Sequence, residues 1–154
     1  MIKSFRLFNE SIHNIQYSKE VDEDGDNIEI SAYLDGSSIA KLSFEILYDA
    51  YEYEFSDDFT EDEFDAIYTD VSIVKLSHIE VNKDYMREGV AKKLISYGIS
   101  LMIKEGYNEF FLNASPMGFH GMRLQPLIEF YKSFGFKEIL NQSNNSLMAL
   151  VIKK

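Results

Sequence analysis

Residues 71–105 change their hydrophobic period once, across a short turn, and that change narrows the folds open to the chain. Residues 71–81 carry Ile73, Val74, Leu76, Ile79 and Val81 in a β-rich run. From Gly89 to about Glu105 the apolar positions Ala91, Leu94, Ile95, Gly98, Leu101 and Met102 recur at three and four. Lys92, Lys93, Ser96 and Lys104 lie off that stripe, and Gly106 stands where a helix ends in its C′ glycine. The spacing predicts a strand, a tight turn and a helix whose first amides open near the strand's end.

The remaining pattern places further strands on both sides of this unit. Residues 12–21 alternate loosely. Ile28, Ile30, Ala32 and Leu34 fall on one strand face, Asp35-Gly36 signals a tight turn, and residues 39–47 resume the alternation as a hairpin. Residues 22–26 are acidic, but a calcium loop starting at Asp22 needs glycine at its sixth position and a bidentate acid at its twelfth. Asn27 and Tyr33 stand there, so a solvated turn is the better reading. After the helix, residues 108–114 read as a strand, 115–124 as a loop and 125–134 as a second helix stopped by Gly135. Residues 136–140 and 147–152 read as closing strands around a turn at 141–146. No repeat or linker divides the chain, so residues 1–154 are expected to form a single domain.

Residues 49–70 hold ten carboxylates and no Lys or Arg, with Tyr51, Tyr53, Phe55, Phe59, Phe64 and Tyr68 interleaved. Thr60 and Glu63 form a capping-box pattern, predicting a short helix at 61–67. The segment reads either as an acidic wall that attracts an amine or as a solubilising insertion anchored by its aromatics. The whole chain carries a formal charge of -11, which disfavours nucleic-acid phosphates and anionic membranes. There is no cysteine, so disulfides and thiolate metal sites are excluded. No apolar run approaches the roughly 18 residues of a membrane span, and the N-terminus lacks the core of a signal peptide. A cytoplasmic protein without a metal is expected.

The candidate site lies at the strand–turn–helix junction. Gly89 and Ala91 are small residues at a helix start, where free amides carry partial positive charge. Lys83, Arg87, Lys92 and Lys93 outnumber Asp84 and Glu88 there, inside an otherwise acidic chain. An anion can be held at such a place, although glycine and alanine at a helix start also serve ordinary packing.

Two motifs sharpen that reading. The first is Val81-Asn82-Lys83-Asp84-Tyr85-Met86-Arg87-Glu88-Gly89-Val90-Ala91. The second is Phe130-Tyr131-Lys132-Ser133-Phe134-Gly135-Phe136, with one strand between them. Together they resemble the signatures of the GNAT superfamily of acyl-CoA-dependent N-acetyltransferases, most clearly over residues 71–154. The compact form is also reminiscent of acetyltransferases carried by phages or mobile elements. The resemblance implies an α/β (α+β) fold with a central mixed, mostly antiparallel sheet and flanking helices. It implies acetyl-CoA as co-substrate, a primary amine as acceptor (a small cationic molecule or a protein lysine), and a possible homodimer. The amides of Arg87, Glu88, Gly89, Val90 and Ala91 would bind the CoA pyrophosphate. Ile79 and Val81 would pair with the pantetheine arm as a further strand. Tyr131 would protonate the departing thiolate.

The sequence departs from the family pattern in four respects. Met86 stands where the family has Arg or Gln, and Arg87 follows one place late. Leu124 replaces a usual polar residue. No helix pair separates the first two strands. The positions where the family places a Glu or His base hold Lys75 and Ser77. Glu80 and His78 point to the other face if alternation holds, unless a bulge re-aims one; Glu80 is the chosen catalytic base, and reads otherwise as an exposed strand carboxylate. His120 reads as an acceptor-site or a solvated loop histidine. A CoA-binding module without catalysis is the alternative function.

Overall fold

The computed structural model describes residues 14–86, 88–116 and 123–152. Among these residues seven strands form one sheet in the order β1-β2-β3-β4-β5-β7-β6. They are β1 (Gln16–Val21), β2 (Asn27–Leu34), β3 (Ser37–Leu47), β4 (Ile73–Val81), β5 (Glu109–Ala114), β6 (Lys137–Asn141) and β7 (Ser146–Val151). Every pairing is antiparallel except β4 with β5. The mixed, mostly antiparallel sheet with flanking helices therefore stands as the sequence predicts.

Local chemistry sets the boundaries. Asp35 and Gly36 both take positive φ, 51° and 82°, which makes the β2–β3 turn the primed type that Asp-Gly favours. At the β1–β2 turn the Asp22 carboxylate accepts hydrogen bonds from the Asn27 side chain and from the amides of Asp26 and Asn27. The Asn27 side chain contributes most to holding that carboxyl below its ordinary value. The solvated-turn reading holds, and this turn is all that separates β1 from β2.

The helical segments lie on both faces. On one face α3 (Val90–Lys104) packs over β2, β3 and β4, and α4 (Leu124–Lys132) over β5. Leu94, Ile95 and Met102 meet Leu42, Phe44 and Leu76 in the main core, which continues to Leu127, Ile128 and Tyr131. Gly98 makes the closest approach. A Cβ there would lie 2.6 Å from Leu42 Cδ2 and 2.8 Å from Phe44 Cε2, so glycine lets α3 sit low on the sheet.

The other face carries α1, a π-helical segment at Tyr51–Phe55, and α2 (Glu61–Ile67). The predicted capping box is present at Thr60 and Glu63. Phe55, Phe59, Phe64, Tyr68 and Phe111 cluster beneath these segments, so the aromatics of the acidic stretch, the exposed Tyr53 excepted, anchor it to the sheet. Glu109 is buried at the start of β5 and accepts four hydrogen bonds. Two come from the Thr69 amide, one from the Thr69 hydroxyl and one from the Asp70 amide. This carboxylate ties the acidic segment to the sheet.

Candidate active site

Among the described residues the one parallel strand pair is also the shortest ladder. β4 and β5 pair at Val74–Phe110 and Lys75–Phe111 alone. Beyond Lys75 no residue of β4 pairs with β5, so the two strands part and leave a gap. A pocket of about 80 Å³ occupies it, lined by Leu76, Ser77, His78, Ile79, Leu112, Asn113, Ser115 and Tyr131.

A β-bulge sits beside this gap. Ser43 opposes His78 and Phe44 opposes Leu76, so Ser77 is the extra residue, with its hydroxyl bonded to the Ser43 carbonyl at 3.1 Å. The bulge shifts the pleat by one residue. Before it, Val74 and Leu76 enter the main core; after it, Ile79 and Val81 do. Lys41, Ser43 and Glu45 share one face of β3 and oppose Glu80, His78 and Lys75. His78 and Glu80 therefore come to the face of Lys75, which strict alternation would have denied them. Their side chains are exposed, and Nε2 of His78 lies 3.6 Å from Oε2 of Glu80. Glu80 does not line the pocket, whereas His78 does.

Tyr131 reaches the gap from the opposite face. It stands in the last turn of α4, 5% exposed, with its ring edge-on to Phe130 and Phe136. No partner for its hydroxyl is found among the described residues, and no enclosed side-chain oxygen is left unpaired. The hydroxyl therefore opens to the pocket. Burial pushes its pKa up to about 12, so it holds its proton throughout the physiological range.

At the far end of β4 the chain makes a turn, Lys83–Tyr85, anchored by Asn82, whose amide bonds the Ile39 carbonyl and whose side chain accepts from Asp84. Gly89 then caps α3 with φ +79° and no side-chain cap. A Cβ at Gly89 would meet nothing within 4 Å. The Lys93 amide is the first to bond back, to the Gly89 carbonyl. The amides of Val90, Ala91 and Lys92 thus have no intrahelical acceptor, which suits an anion. Met86 is partly buried against the main core and contributes packing in place of a charged clamp. Leu124 likewise packs against it. Arg87 and His120 lie outside the described residues.

The acidic segment flanks the His78 face. Glu54 Oε1 holds Lys75 Nζ at 2.8 Å, and the ammonium lies 5.8 Å from the Phe111 ring centroid, so Lys75 is already engaged. A separate cavity of about 360 Å³, at the start of β4, is bordered by Asp49, Glu52, Glu61 and Asp70 with Tyr48, Tyr51 and Phe64. The sequence raises a bulge only as a condition on Glu80, without a position, and gives no warning of the π-helical turn beyond Tyr51 and Phe55, one helical turn apart.

No protein-family model matches the chain, and no curated protein matches it. Solved structures do. The PaiA N-acetyltransferase from Thermoplasma acidophilum, in complex with coenzyme A, is 16% identical with a TM-score of 0.58 over 83% of this chain. This chain spans 62% of that protein's length. NAA60 from Arabidopsis thaliana, in complex with acetyl-CoA, is 17% identical with a TM-score of 0.59, covering 89% of this chain and 97% of its own. An acetyltransferase of the GNAT family from Streptococcus pneumoniae is 17% identical with a TM-score of 0.53, covering 82% of this chain and 68% of its own. At these identities the likeness establishes the fold: the chain has the fold of the GNAT N-acetyltransferases.

Proposed function

We propose that this chain transfers an acetyl group from acetyl-CoA to a primary amine. The observation that carries the proposal is the gap between β4 and β5. It begins where pairing stops at Lys75 and is lined by Leu76, Ser77, His78, Ile79 and Tyr131, and β4 continues from it to the turn before the uncapped start of α3. A long, thin ligand with its reactive end in the gap and its anionic end at α3 would follow that course. The amides of Glu88, Gly89, Val90 and Ala91, with Arg87 beside them, would hold the pyrophosphate. Ile79 and Val81 are the strand positions along which the pantetheine arm would run.

The co-substrate supplies an activated thioester carbonyl. The chain's residues orient it and manage protons. A backbone amide at the β4 edge donates to the carbonyl oxygen as negative charge develops there. Tyr131 donates to the leaving sulfur. Its phenol is a weaker acid than an ordinary thiol, whose pKa is about 8.5, so transfer to a free thiolate is uphill; the phenol donates a hydrogen bond as the C–S bond breaks and passes on its proton only as solvent replaces it. The exchange converts an ammonium and acetyl-CoA into an amide, CoA thiol and one released proton. The acidic segment on the His78 face favours a cationic acceptor, a small amine or a protein lysine, by raising its local concentration.

Thermal melting with acetyl-CoA, followed by CoA release with spermidine and a lysine peptide, tests the proposal. A rise in melting temperature with turnover on an amine is expected. Absence of a rise overturns the cofactor assignment. Met86 supports a second reading, since a packing residue replaces a clamp: a CoA-binding module without turnover, which a rise alone would favour.

A further inference from the structure

We propose that the gap admits acetyl and propionyl groups but no longer acyl chain, with Leu76 and Leu112 setting the limit. The proposal rests on the acetyltransferase reading and adds the acyl specificity that reading leaves open.

The closed end of the gap is built from both strands. β4 and β5 run parallel and share their last rung at Lys75 and Phe111. Leu76 and Leu112 are the next residues on each strand, and both are buried in the main core. Each also lines the pocket, so together they wall it where the strands converge. Tyr131, likewise buried, borders the same pocket from α4. A thioester carried in from the α3 end of β4 passes from Val81 toward Leu76 and stops at the rung, because beyond it the strands are bonded to each other.

The geometry of transfer directs the acyl tail to that wall. The sulfur comes from the α3 side and lies toward Tyr131. The carbonyl oxygen takes an amide at the β4 edge. The amine must attack from above or below the thioester plane. α3 and α4 cover one face of the sheet, so the amine arrives on the other, which carries Lys75 and His78. A tail lying on that open face would block the nucleophile. The tail therefore points toward the rung, against Leu76 and Leu112.

Size then fixes its length. An apolar cavity of about 150 Å³ takes benzene, so a pocket of about 80 Å³ takes about three heavy atoms, the size of an acetyl group. Propionyl is tight. A butyryl chain has to displace two buried leucines, and a close-packed interior resists that. Transfer itself is the same for every chain that fits: the C–N bond forms, the C–S bond breaks, CoA leaves as the thiol and one ammonium proton goes to solvent.

The test measures CoA release from acetyl-, propionyl-, butyryl- and hexanoyl-CoA, with spermidine and a lysine peptide as acceptors. Each methylene beyond acetyl should lower kcat/KM by about 10-fold or more, placing butyryl-CoA on the order of 100-fold below acetyl-CoA. Leu76→Ala should raise the butyryl-to-acetyl ratio by about 10-fold, and the milder Leu112→Val should raise it less. Leu94→Ala, a truncation in the same core at a residue that does not line the pocket, should leave the ratio where it is. The thermal shift with acetyl-CoA reports that each variant is folded and binds. If neither leucine variant folds, the wild-type series decides alone. Wild type that uses butyryl- or hexanoyl-CoA within about 10-fold of acetyl-CoA overturns the proposal and leaves acetyl transfer standing. A ratio unmoved in both folded leucine variants, or moved equally by Leu94→Ala, overturns it too. Wild type that does not bind acetyl-CoA, or turns over neither amine, overturns both the proposal and the acetyltransferase reading.

Discussion

Replacing Tyr131 by phenylalanine separates packing from chemistry at one atom. The ring would stay edge-on to Phe130 and Phe136. The lost hydroxyl has no hydrogen-bond partner among the described residues, so nothing is orphaned and stability at neutral pH should change by less than about 1 kcal/mol. High pH should distinguish the two proteins. Burial raises the folded-state pKa of Tyr131 from 10.0 to about 12. A raised pKa means its contribution is fully present below pH 10 and lost as pH passes 12. A two-unit shift corresponds to about 3 kcal/mol at most, with roughly half of it gone near pH 11. Tyr68 is raised too, chiefly by burial, so both proteins will weaken in alkali. Tyr131→Phe should weaken less by that amount. Urea unfolding at about pH 8 and pH 11 measures it, while CoA release at pH 8 should fall by about 100-fold or more. Equal alkaline losses in the two proteins would refute burial of the phenol. Unchanged turnover would refute its role as proton donor.

Three further substitutions probe the frame around the gap. Gly89→Glu should abolish the acetyl-CoA melting shift by bulk and charge, whereas Gly89→Asn, which tolerates positive φ, should keep most of it; calorimetric titration reads both. Glu109→Ala leaves the Thr69 and Asp70 amides without their acceptor and should cost about 2–5 kcal/mol in urea unfolding, with Glu109→Gln costing less. Gly98→Ala should destabilise by about 1 kcal/mol, because crowding against Leu42 and Phe44 outweighs the helix-propensity gain; a stabilised variant contradicts the close approach of α3.

The strand–turn–helix unit was legible because its signals are local. Ile73, Val74, Leu76, Ile79 and Val81 alternate or cluster as strand residues do, and Gly89 and Gly106 punctuate the helix. The capping box at Thr60 and the Asp35-Gly36 turn are local in the same way, and both formed as read. The bulge was not legible as a position. Ser77 leaves a polar residue in a polar half of the strand, and only pairing with β3 reveals that the pleat has shifted. The parting of β4 from β5 depends on partners far apart in sequence and left no periodic trace. The sequence could therefore nominate Tyr131 and Gly89, but the face reached by His78 and Glu80 had to come from the register.

The central claim is that acetyl-CoA lies in the gap with its pyrophosphate on the first turn of α3. Amide chemical shifts of the labelled protein during titration with CoA test it directly. The account predicts saturable shifts concentrated at Gly89, Val90, Ala91 and Lys92 and along Ser77, His78 and Ile79, with little change in β1. Binding that perturbs other surfaces and leaves these amides unmoved, or no binding, would contradict it.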